Sequence, residues 1–317
     1  MATLALAAML SDLCLGYPDR VWRTVGHPVS WMGRLIAVLD RTLNRGSEVR
    51  RRALGGLALL VVVAASAGAG LALASLARGW PGLVLSAVVA GTLIAQRSLA
   101  RHVAAVAEAL DTGGTAAGRQ AVARIVGRDV ASLDEAGVAR AAIESLAENF
   151  SDGIVAPVFW LALGGLPVVA AYKAINTADS MIGHRSERYR AFGWSAARVD
   201  DVVNLPASRL SAALIAVGAG VLPAASAAGA WRAVRRDARR HRSPNAGWPE
   251  AATAGALGFA LAGPRRYGGR LVEDAFMGSG RRELGAADIR RALRLYWVAD
   301  ALLVGLLALW TLVSWTG

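Results

Sequence analysis

The chain has a single cysteine, Cys14, and few charged residues for its length. One cysteine excludes an internal disulfide and any zinc site built from several thiolates. Charged residues occupy 18% of the 317 positions and hydrophobic residues 55%, whereas soluble domains carry about 25% charged residues. Together with a mean hydropathy of +0.41, this composition predicts a membrane protein.

Several common catalytic motifs are also absent from the sequence. It contains no phosphate loop of the Walker type, no dinucleotide-binding glycine fingerprint, no HExxH metalloprotease motif and no Gly-x-Ser-x-Gly nucleophile elbow. If the chain uses a nucleotide, that nucleotide therefore binds in a site of another kind.

The net charge is +12, and Lys173 is the only lysine among the basic residues. In a soluble protein such a charge would indicate a nucleic-acid partner. The sequence has no basic tail and no basic patch interleaved with aromatic residues, so we expect no nucleic acid. In a membrane protein the same excess follows from the concentration of positive charge in cytoplasmic loops.

Long uncharged runs predict membrane helices. Residues 54–76 carry no charge over more than the roughly 20 positions that a bilayer requires, and the arginines at 50–52 mark the preceding end as cytoplasmic. Residues 81–95 follow a tight turn and predict a returning helix. Residues 297–315 predict a last span with tryptophans near both ends. Residues 1–15 lack a basic leading region and a cleavage site, which indicates a retained membrane segment.

Two further apolar runs are interrupted by glycine and proline. Residues 154–175 are broken near position 165, and residues 207–230 near position 220. The section between them carries four arginines, which favours the cytoplasm. Broken segments are tolerated at membrane depth where they line a cavity, so we predict re-entrant or bent segments. The predicted fold class is all-α: a polytopic membrane helical bundle with cytoplasmic helical and loop sections, forming one domain over residues 1–317.

A stripe of carboxylates precedes the first broken run. A capping box at residues 132–135 predicts a helix over residues 133–150 that starts from Ser132. On that helix Glu144 and Glu148 share a face, and Asp152 extends the face if the helix continues. Clustered carboxylates require a cation, and hard oxygen ligands suit Mg²⁺. The alternative is a solvated acidic face balanced by a nearby arginine.

The section after the first broken run is polar. Asn176, Asp179 and Ser180 recur at helical spacing and form one strip, on which Asp179 would complete a metal site with Glu148 and Asp152. The alternative is a polar seam between helices, and the residues leave both interpretations open.

Basic and aromatic residues follow the strip. Arg185, Arg188 and Tyr189 suit an anionic ligand with a flat part, and Asp200 and Asp201 come shortly after. The alternative is an anchor at the membrane interface.

Two later sections are rich in proline and glycine, which predicts ordered loops. They are residues 237–250 and 263–269, and the backbone amides at the end of the second would face a phosphate. A compact polar motif near the N-terminus, residues 27–34, predicts the start of a helix. The candidate residues of these three sections are His27, Trp31, Arg34, Asn245, Trp248, Glu250, Tyr267, Gly268 and Gly269.

Long runs of the chain resemble one known family. The runs are HPVSWMGRLI from residue 27, ESLAENFSDGIVAP at 144–157, NTADSMIGHRSERYRAFGW at 176–194, DARRHRSPNAGWPE at 237–250 and GPRRYGG at 263–269. In this order, over nearly the whole chain, they resemble the CobD/CbiB family of cobalamin biosynthesis, the adenosylcobinamide-phosphate synthases. The chain departs from the family pattern at Phe150 and Arg265, and neither change removes a candidate catalytic group.

The resemblance implies a multi-pass enzyme of the bacterial inner membrane with a cytoplasmic active site. Such an enzyme joins aminopropanol, or its O-phosphate, to the free carboxylate of adenosylcobyric acid with ATP and Mg²⁺, and we expect an acyl phosphate intermediate. Expected partners are the corrinoid, the amine, membrane lipid and other membrane-associated enzymes of the late pathway, and an oligomer is compatible with the family. From the residues alone, two alternative functions remain: a transporter or a non-catalytic membrane sensor.

Within that reaction the residue types suggest roles. Glu148, Asp152 and Asp179 are the predicted metal ligands, and either Glu144 or His184 is the predicted base. The predicted catalytic set is Glu144, Glu148, Asp152, Asp179 and His184. The residues predicted to hold the nucleotide are Asn176, Ser180, Arg185, Arg188, Tyr189, Gly268 and Gly269. Those predicted to hold the substrate are His27, Trp31, Arg34, Asn149, Asp200, Asp201, Asn245, Trp248, Glu250 and Tyr267.

Overall fold

The computed structural model describes residues 1–16, 24, 26–127, 129–267 and 270–316, with the backbone alone at 265–267, 270–272 and 316. Its helices are α1 (Ala2–Leu15), α2 (Pro28–Leu43), α3 (Glu48–Leu76), α4 (Gly79–Gly91), α5 (Gln96–Val122), α6 (Glu135–Phe150), α7 (Ala156–Ile182), α8 (Trp194–Val203), α9 (Leu205–Ala219), α10 (Ala227–Asp237), α11 (Gly247–Leu257) and α12 (Ala286–Thr316). A π-helical turn (Ser151–Val155) joins α6 to α7, and a 3₁₀ turn (Ala238–Arg240) follows α10.

Short strands occur between α11 and α12. β1 (Leu261–Ala262) pairs antiparallel with β4 (Phe276–Met277), and β2 (Arg265–Tyr267) pairs antiparallel with β3 (Arg270–Val272). Residues 265–267 therefore form a strand where the sequence predicted a loop. These strands are too small to alter the all-α class, which the structure confirms.

In the part of the chain that the structure describes, four helical stretches are long and apolar enough to cross a membrane by length and composition. They are Glu48–Leu76, Gly79–Val122, Glu135–Ile182 and Ala286–Trp315. The first contains the predicted span 54–76 and the last contains 297–315, so both predictions are confirmed. Only 17% of the most apolar window of the first stretch is buried, as expected of a helix whose leucines face lipid.

The chain forms two compact units that alternate along the sequence. Unit 1 comprises Met1–Ala95, Ala156–Asn204 and Leu307–Gly317, and unit 2 comprises Gln96–Val155 and Leu205–Leu306. In unit 1, α3 packs on α7 and α1 packs on α4. In unit 2, α11 packs on α9 and α10, and α5 packs on α6.

Small residues let α3 approach α7 closely. The buried strip of α3 recurs every three or four residues at Gly55, Ala58, Leu59, Val62 and Ser66. One turn further on, a β-carbon on Gly70 would lie 2.7 Å from the carbonyl oxygen of Leu166. Close backbone approach at small residues is the usual way in which membrane helices pack.

The interruption predicted near residue 165 is present inside α7. Gly165 has φ 67° and ψ −159°, a backbone conformation that favours glycine, and Pro167 follows within the helix. The helix nevertheless continues to Ile182. The polar strip of Asn176, Asp179 and Ser180 therefore lies on the last turns of an apolar helix, as the spacing predicts.

The second broken run also contains its predicted interruption, and a bend precedes it. α9 ends at Ala219, and a non-helical stretch leads to α10 at Ala227. In addition, α8 and α9 meet at an angle of 45°, a bend typical of a broken span or a re-entrant loop. The prediction of re-entrant topology stays a prediction.

Two further local predictions are wrong. α6 begins at Glu135 and is capped by Asp134, whose carboxylate accepts a hydrogen bond from the Gly137 N–H at 2.7 Å. Asp134 thus takes the capping role that the sequence suggested for Ser132, and the helix starts two residues later, because the Asp134 carboxylate satisfies the orphan Gly137 N–H. Residues 247–250, predicted as loop, form the first turn of α11, where Pro249 removes only an N–H that has no helical partner.

Candidate functional site

Polar side chains from α7 and α8 meet in unit 1. The Asn176 amide donates to Asp200 Oδ1 at 3.4 Å, and the Asp179 carboxyl lies within electrostatic reach of Asp200 and Asp201. We call Asn176, Asp179, Asp200 and Asp201 the Asp179 cluster. The structure therefore brings together residues for which the sequence predicted three different ligands: the metal for Asp179, the nucleotide for Asn176, and the substrate for Asp200 and Asp201.

Two basic side chains border the Asp179 cluster from the exposed segment after α7. His184 acts electrostatically on Asp179, and Arg185 acts on Asp201. Both are exposed, so they are accessible to a ligand. Ser180 is exposed at the end of α7, and its hydroxyl donates to the Asn176 carbonyl at 2.9 Å.

Hydrogen bonds from α7 hold α8 in position. The Tyr172 hydroxyl donates to Asn204 Oδ1 at 2.8 Å, and Trp160 Nε1 donates to the Val203 carbonyl at 3.1 Å. The Asn204 amide in turn donates to the Asp200 carbonyl at 3.2 Å. Because Tyr172 and Asn204 are buried, these bonds set the register of the aspartates on α8 against α7.

Two glycines bring the segment after α7 close to the Asp179 cluster. A β-carbon on Gly183 would overlap the carboxylate of Asp179. A β-carbon on Gly193 would overlap the carbonyl of Ile182. Both positions therefore require glycine for lack of space rather than for backbone conformation.

A buried aspartate on α2 holds that same segment. Asp40 Oδ2 accepts a hydrogen bond from Arg188 Nη2 at 2.6 Å and from the Tyr189 hydroxyl at 3.4 Å. The Asn44 amide donates to Asp40 Oδ1 at 2.8 Å. Arg51 completes the network, because its Nε donates to Asn44 Oδ1 at 2.7 Å and its guanidinium donates to the Arg188 carbonyl.

The sequence interpretation missed Asp40, Asn44 and Arg51. A usable signal existed, since α2 buries Met32 and Ile36, and Asp40 continues that strip at a spacing of four. A carboxylate on the buried face of an amphipathic helix needs a partner. Arg188, predicted to hold phosphate, is that partner, and its role toward phosphate stays a prediction.

The N-terminal motif forms a capped helix start in unit 1. His27 is the N-cap of α2, and its Nδ1 accepts a hydrogen bond from the Val29 N–H at 3.2 Å. Gly26 has φ 79°, and its α-carbon lies close to the Trp31 indole, since an added β-carbon would be 3.1 Å from Trp31 Nε1. The same β-carbon would be 3.9 Å from Arg34 Nη2. The motif is therefore a folded turn that exposes Trp31 and Arg34.

We expect acidification to destabilise the chain through His27. Burial, and then the positive charge of Lys173, lower the pKa of His27 below its ordinary 6.5. The unfolded chain therefore binds the proton first, so the stability that neutral His27 contributes is present above pH 6.5 and is lost as the pH falls toward the lowered pKa. His27→Asn keeps a capping oxygen but does not titrate. Between about pH 7.5 and about pH 5.5 the wild type should lose more Tm than His27→Asn; equal losses would contradict this assignment.

In unit 2 the predicted acidic stripe lies in three environments. Glu144 is buried, and its Oε1 accepts a hydrogen bond from the Ala262 N–H at 2.8 Å, which ties α6 to β1. Glu148 is exposed near the end of α6. Asp152 is half-buried within the π-helical turn, so the α-helical continuation expected for it is replaced by a wider turn. The Asn149 amide donates to the Ser145 carbonyl at 2.9 Å.

The predicted metal ligands belong to different units. Asp179 lies in unit 1, and Glu148 and Asp152 lie in unit 2. Across the described ranges, no group of three or more Asp, Glu, His or Cys side chains is arranged to hold a metal ion. The Asp179 cluster does offer carboxylate and amide oxygens, the ligand type that Mg²⁺ prefers. Binding of metal by Glu148, Asp152 and Asp179 stays a prediction.

Asn245 and Trp248 share a partner in unit 2. Asn245 is buried, and its Oδ1 accepts hydrogen bonds from Ser208 Oγ at 3.2 Å and Arg209 Nη1 at 3.1 Å. The Arg209 guanidinium also lies over the Trp248 ring, 4.4 Å from its centroid. Arg209 therefore orients both predicted substrate residues, and the sequence interpretation missed it.

The other residues predicted in this part of the sequence are Glu250, Tyr267, Gly268 and Gly269. Glu250 is buried, and its Oε1 lies 3.6 Å from His241 Nε2. The Tyr267 side chain, Gly268 and Gly269 lie outside the described residues. Their predicted roles stay predictions.

Comparison with known proteins decides the family of the chain. The family model described as CobD/Cbib protein matches residues 5–296. The chain belongs to the CobD/CbiB family. The resemblance found in the sequence motifs is thereby confirmed, and the Asp179 cluster and the Arg209 contacts are features of a CobD/CbiB protein.

Curated members of the CobD/CbiB family align with the chain over almost their full length. A Rhodobacter capsulatus protein named cobalamin biosynthesis protein CobD is 48% identical over 315 residues, which cover 98% of each chain. Proteins of the same name from Rhizobium meliloti and Brucella suis are each 49% identical. The first alignment covers 92% of this chain and 91% of the relative, and the second covers 97% and 96%. No solved structure matches the chain significantly.

Proposed function

We propose that the chain is a cobalamin-biosynthesis enzyme that joins aminopropanol, or aminopropanol O-phosphate, to the free carboxylate of adenosylcobyric acid. Membership of the CobD/CbiB family and the printed names of the relatives support this pathway. The observation that carries the proposal is the Asp179 cluster, in which carboxylates adjoin exposed His184 and Arg185. Such a combination of acid, base and guanidinium suits transfer of a phosphoryl group followed by attack of an amine.

The proposed chemistry proceeds in two steps. A corrinoid carboxylate oxygen attacks the terminal phosphorus of ATP, and ADP leaves, so an acyl phosphate forms. The amine nitrogen then attacks the acyl carbon, the C–O bond to phosphate breaks, inorganic phosphate leaves and the nitrogen loses a proton. Activation is needed because a carboxylate is a poor electrophile toward amines. The acyl phosphate divides one difficult reaction into two easier steps.

The residues of unit 1 supply distinct parts of this chemistry. Mg²⁺ carried by the ATP phosphates needs only one or two protein carboxylates, which the Asp179 cluster would supply, and it would offset negative charge on the phosphates. Arg185 is exposed beside the cluster and suits a phosphate oxygen. His184 suits proton removal from the amine better than Glu144 does, because Glu144 is buried and accepts the Ala262 N–H.

The proposal places the active site on the cytoplasmic face of the bacterial inner membrane. Candidate membrane spans support a multi-pass protein. Four arginines occur over residues 185–198, between Asp179 and Asp200 in the sequence. Positive charge concentrates on the cytoplasmic side of membrane proteins, which is where ATP is found.

Product formation by the purified protein tests the proposal directly. We expect protein in liposomes to convert adenosylcobyric acid and either aminopropanol or aminopropanol O-phosphate to the amide, with dependence on both ATP and Mg²⁺. Mass spectrometry would detect the amide, and ADP release would be measured in the same samples. A folded protein that forms no amide with either amine would contradict the proposal and favour a transporter or a sensor.

A further inference from the structure

A groove in unit 2 lies between α10 and α11. Its volume is about 440 Å³, which is within the range of small-molecule sites. Its lining residues are Trp231, Val234, Arg235, Arg239 and Trp248. Trp231, Arg235 and Arg239 recur at a spacing of four, so they form one face of α10 and the turn that follows it.

The two helices that form the groove are in backbone contact at both ends. A β-carbon on Gly229 would overlap the carbonyl of Gly255, and a β-carbon on Gly255 would overlap the carbonyl of Gly229. At the other end, a β-carbon on Gly247 would overlap the carbonyl of Ala238. Contact of this kind leaves the helices little freedom to separate, so the groove has preformed walls.

The arginines of α10 and its following turn differ in their partners. Arg236 forms two hydrogen bonds with Asp237, at 2.6 and 2.8 Å, and Arg240 lies 3.9 Å from the same carboxylate. Burial alone would raise the pKa of Asp237, but bonds from Arg236 and the Gly278 N–H, with the charges of Arg236 and Arg240, lower it. Asp237 is therefore ionised and offsets the charge of these two arginines.

Arg235 and Arg239 have no such carboxylate. Both are exposed, and no described acidic side chain forms an ion pair with either of them. Arg209, which lies over Trp248, also experiences the positive charge of Arg239. Like charges held this close favour an anion between them.

The aromatic walls of the groove are accessible. Trp231 is 39% exposed, although a tryptophan usually buries most of its surface. Trp248 is half-buried, with the Arg209 guanidinium over its ring. Indole faces next to guanidinium groups suit a flat ring that carries an anionic substituent.

We infer that this groove binds a nucleoside polyphosphate, with the base against Trp231 and Trp248 and the phosphates at Arg235 and Arg239. A phospholipid headgroup offers the same phosphate chemistry without the flat ring. The groove residues belong to unit 2 and the Asp179 cluster belongs to unit 1, so this is a different site from the one proposed above for the reaction. ATP binding tests the groove and amide formation tests the synthase reaction, so the failure of one is distinguished from the failure of the other.

Direct binding to purified protein in detergent tests the inference, with ATP as the probe and no corrinoid present. Arg235→Gln and Arg239→Gln should each weaken ATP binding about tenfold or more, the usual effect of losing a charge-assisted hydrogen bond. Arg232→Gln is the matched control, because Arg232 lies on α10, is exposed and does not line the groove. Trp231→Leu should weaken ATP binding but leave inorganic tripolyphosphate binding unchanged.

Each alternative outcome overturns the inference. ATP binding that is equally strong in Arg235→Gln, Arg239→Gln and Arg232→Gln would show that the groove does not hold the phosphates. No ATP binding by the folded wild type would exclude a nucleotide site in the groove, and amide formation would still decide the synthase reaction. If both groove variants instead lose binding to phosphatidylglycerol vesicles while ATP binding is unaffected, the phosphate belongs to a lipid headgroup. Elution of each variant from a sizing column, compared with the wild type, checks that the variants are folded.

Discussion

Asp179→Asn is expected to lower amide formation by roughly 10²–10³-fold while the protein stays folded. The substitution keeps the shape of the side chain and removes its charge. Asp179 lies within electrostatic reach of Asp200, Asp201 and His184. Its charge therefore acts both on the other carboxylates of the cluster and on the imidazole that borders it. The rate of amide formation under saturating ATP and Mg²⁺ is the measurement.

Thermal unfolding separates this effect from a structural one. Removing one of three neighbouring carboxylates relieves repulsion, so Asp179→Asn should keep or raise the Tm. Asp111→Asn is the control, since Asp111 forms an exposed ion pair with Arg290 and such pairs contribute little to stability. Full activity of Asp179→Asn, or a loss of activity that follows a loss of Tm, would contradict a chemical role for Asp179.

Gly193→Ala should lower the free energy of unfolding by about 3 kcal/mol, or prevent accumulation of the protein in membranes. The added β-carbon would overlap the backbone carbonyl of Ile182, at the end of α7. Phe192, the preceding residue, is likewise confined, because its carbonyl lies where a β-carbon on Gly55 would fall. A backbone clash is more costly than a side-chain clash, since no rotamer change relieves it.

Gly68→Ala is the matched control for this substitution. Gly68 lies on α3, and a β-carbon there would have no neighbour within 4 Å. Alanine is also the better helix former, so little change in Tm is expected. Equal Tm values for Gly193→Ala and Gly68→Ala in detergent would show that the segment after α7 does not pack as described.

Much of the fold was predictable because the length and hydropathy of a short stretch of sequence are enough to identify a membrane span. The uncharged run at 54–76 and the tryptophan-flanked run at 297–315 both became helices within longer stretches, since length and hydropathy alone determine whether a segment can span. The break at Gly165 was predictable because Gly and Pro are poor residues for a helix interior. The capping error at Ser132 arose because Asp134 carries an equally suitable oxygen.

The candidate site was less predictable because its contacts join distant parts of the chain. Asn176 and Asp179 were recognised as one strip from helical spacing, but their meeting with Asp200 depends on bonds such as Tyr172 to Asn204. Asp40 lies 148 positions before its partner Arg188, and no local pattern relates the two. Trp231 and Arg235 were not singled out from the sequence, since a groove requires a second helix.

The alternation of the two units has a consequence for how the protein is made. A ribosome synthesises the chain in order, and the chain changes unit after residues 95, 155, 204 and 306. Unit 1 therefore begins first, yet it is complete only when residues 307–317 have emerged. Neither unit can finish folding while the other is still unmade. No cut at a single position in the gene would place each unit whole on its own fragment, so the two units must mature within one continuous chain.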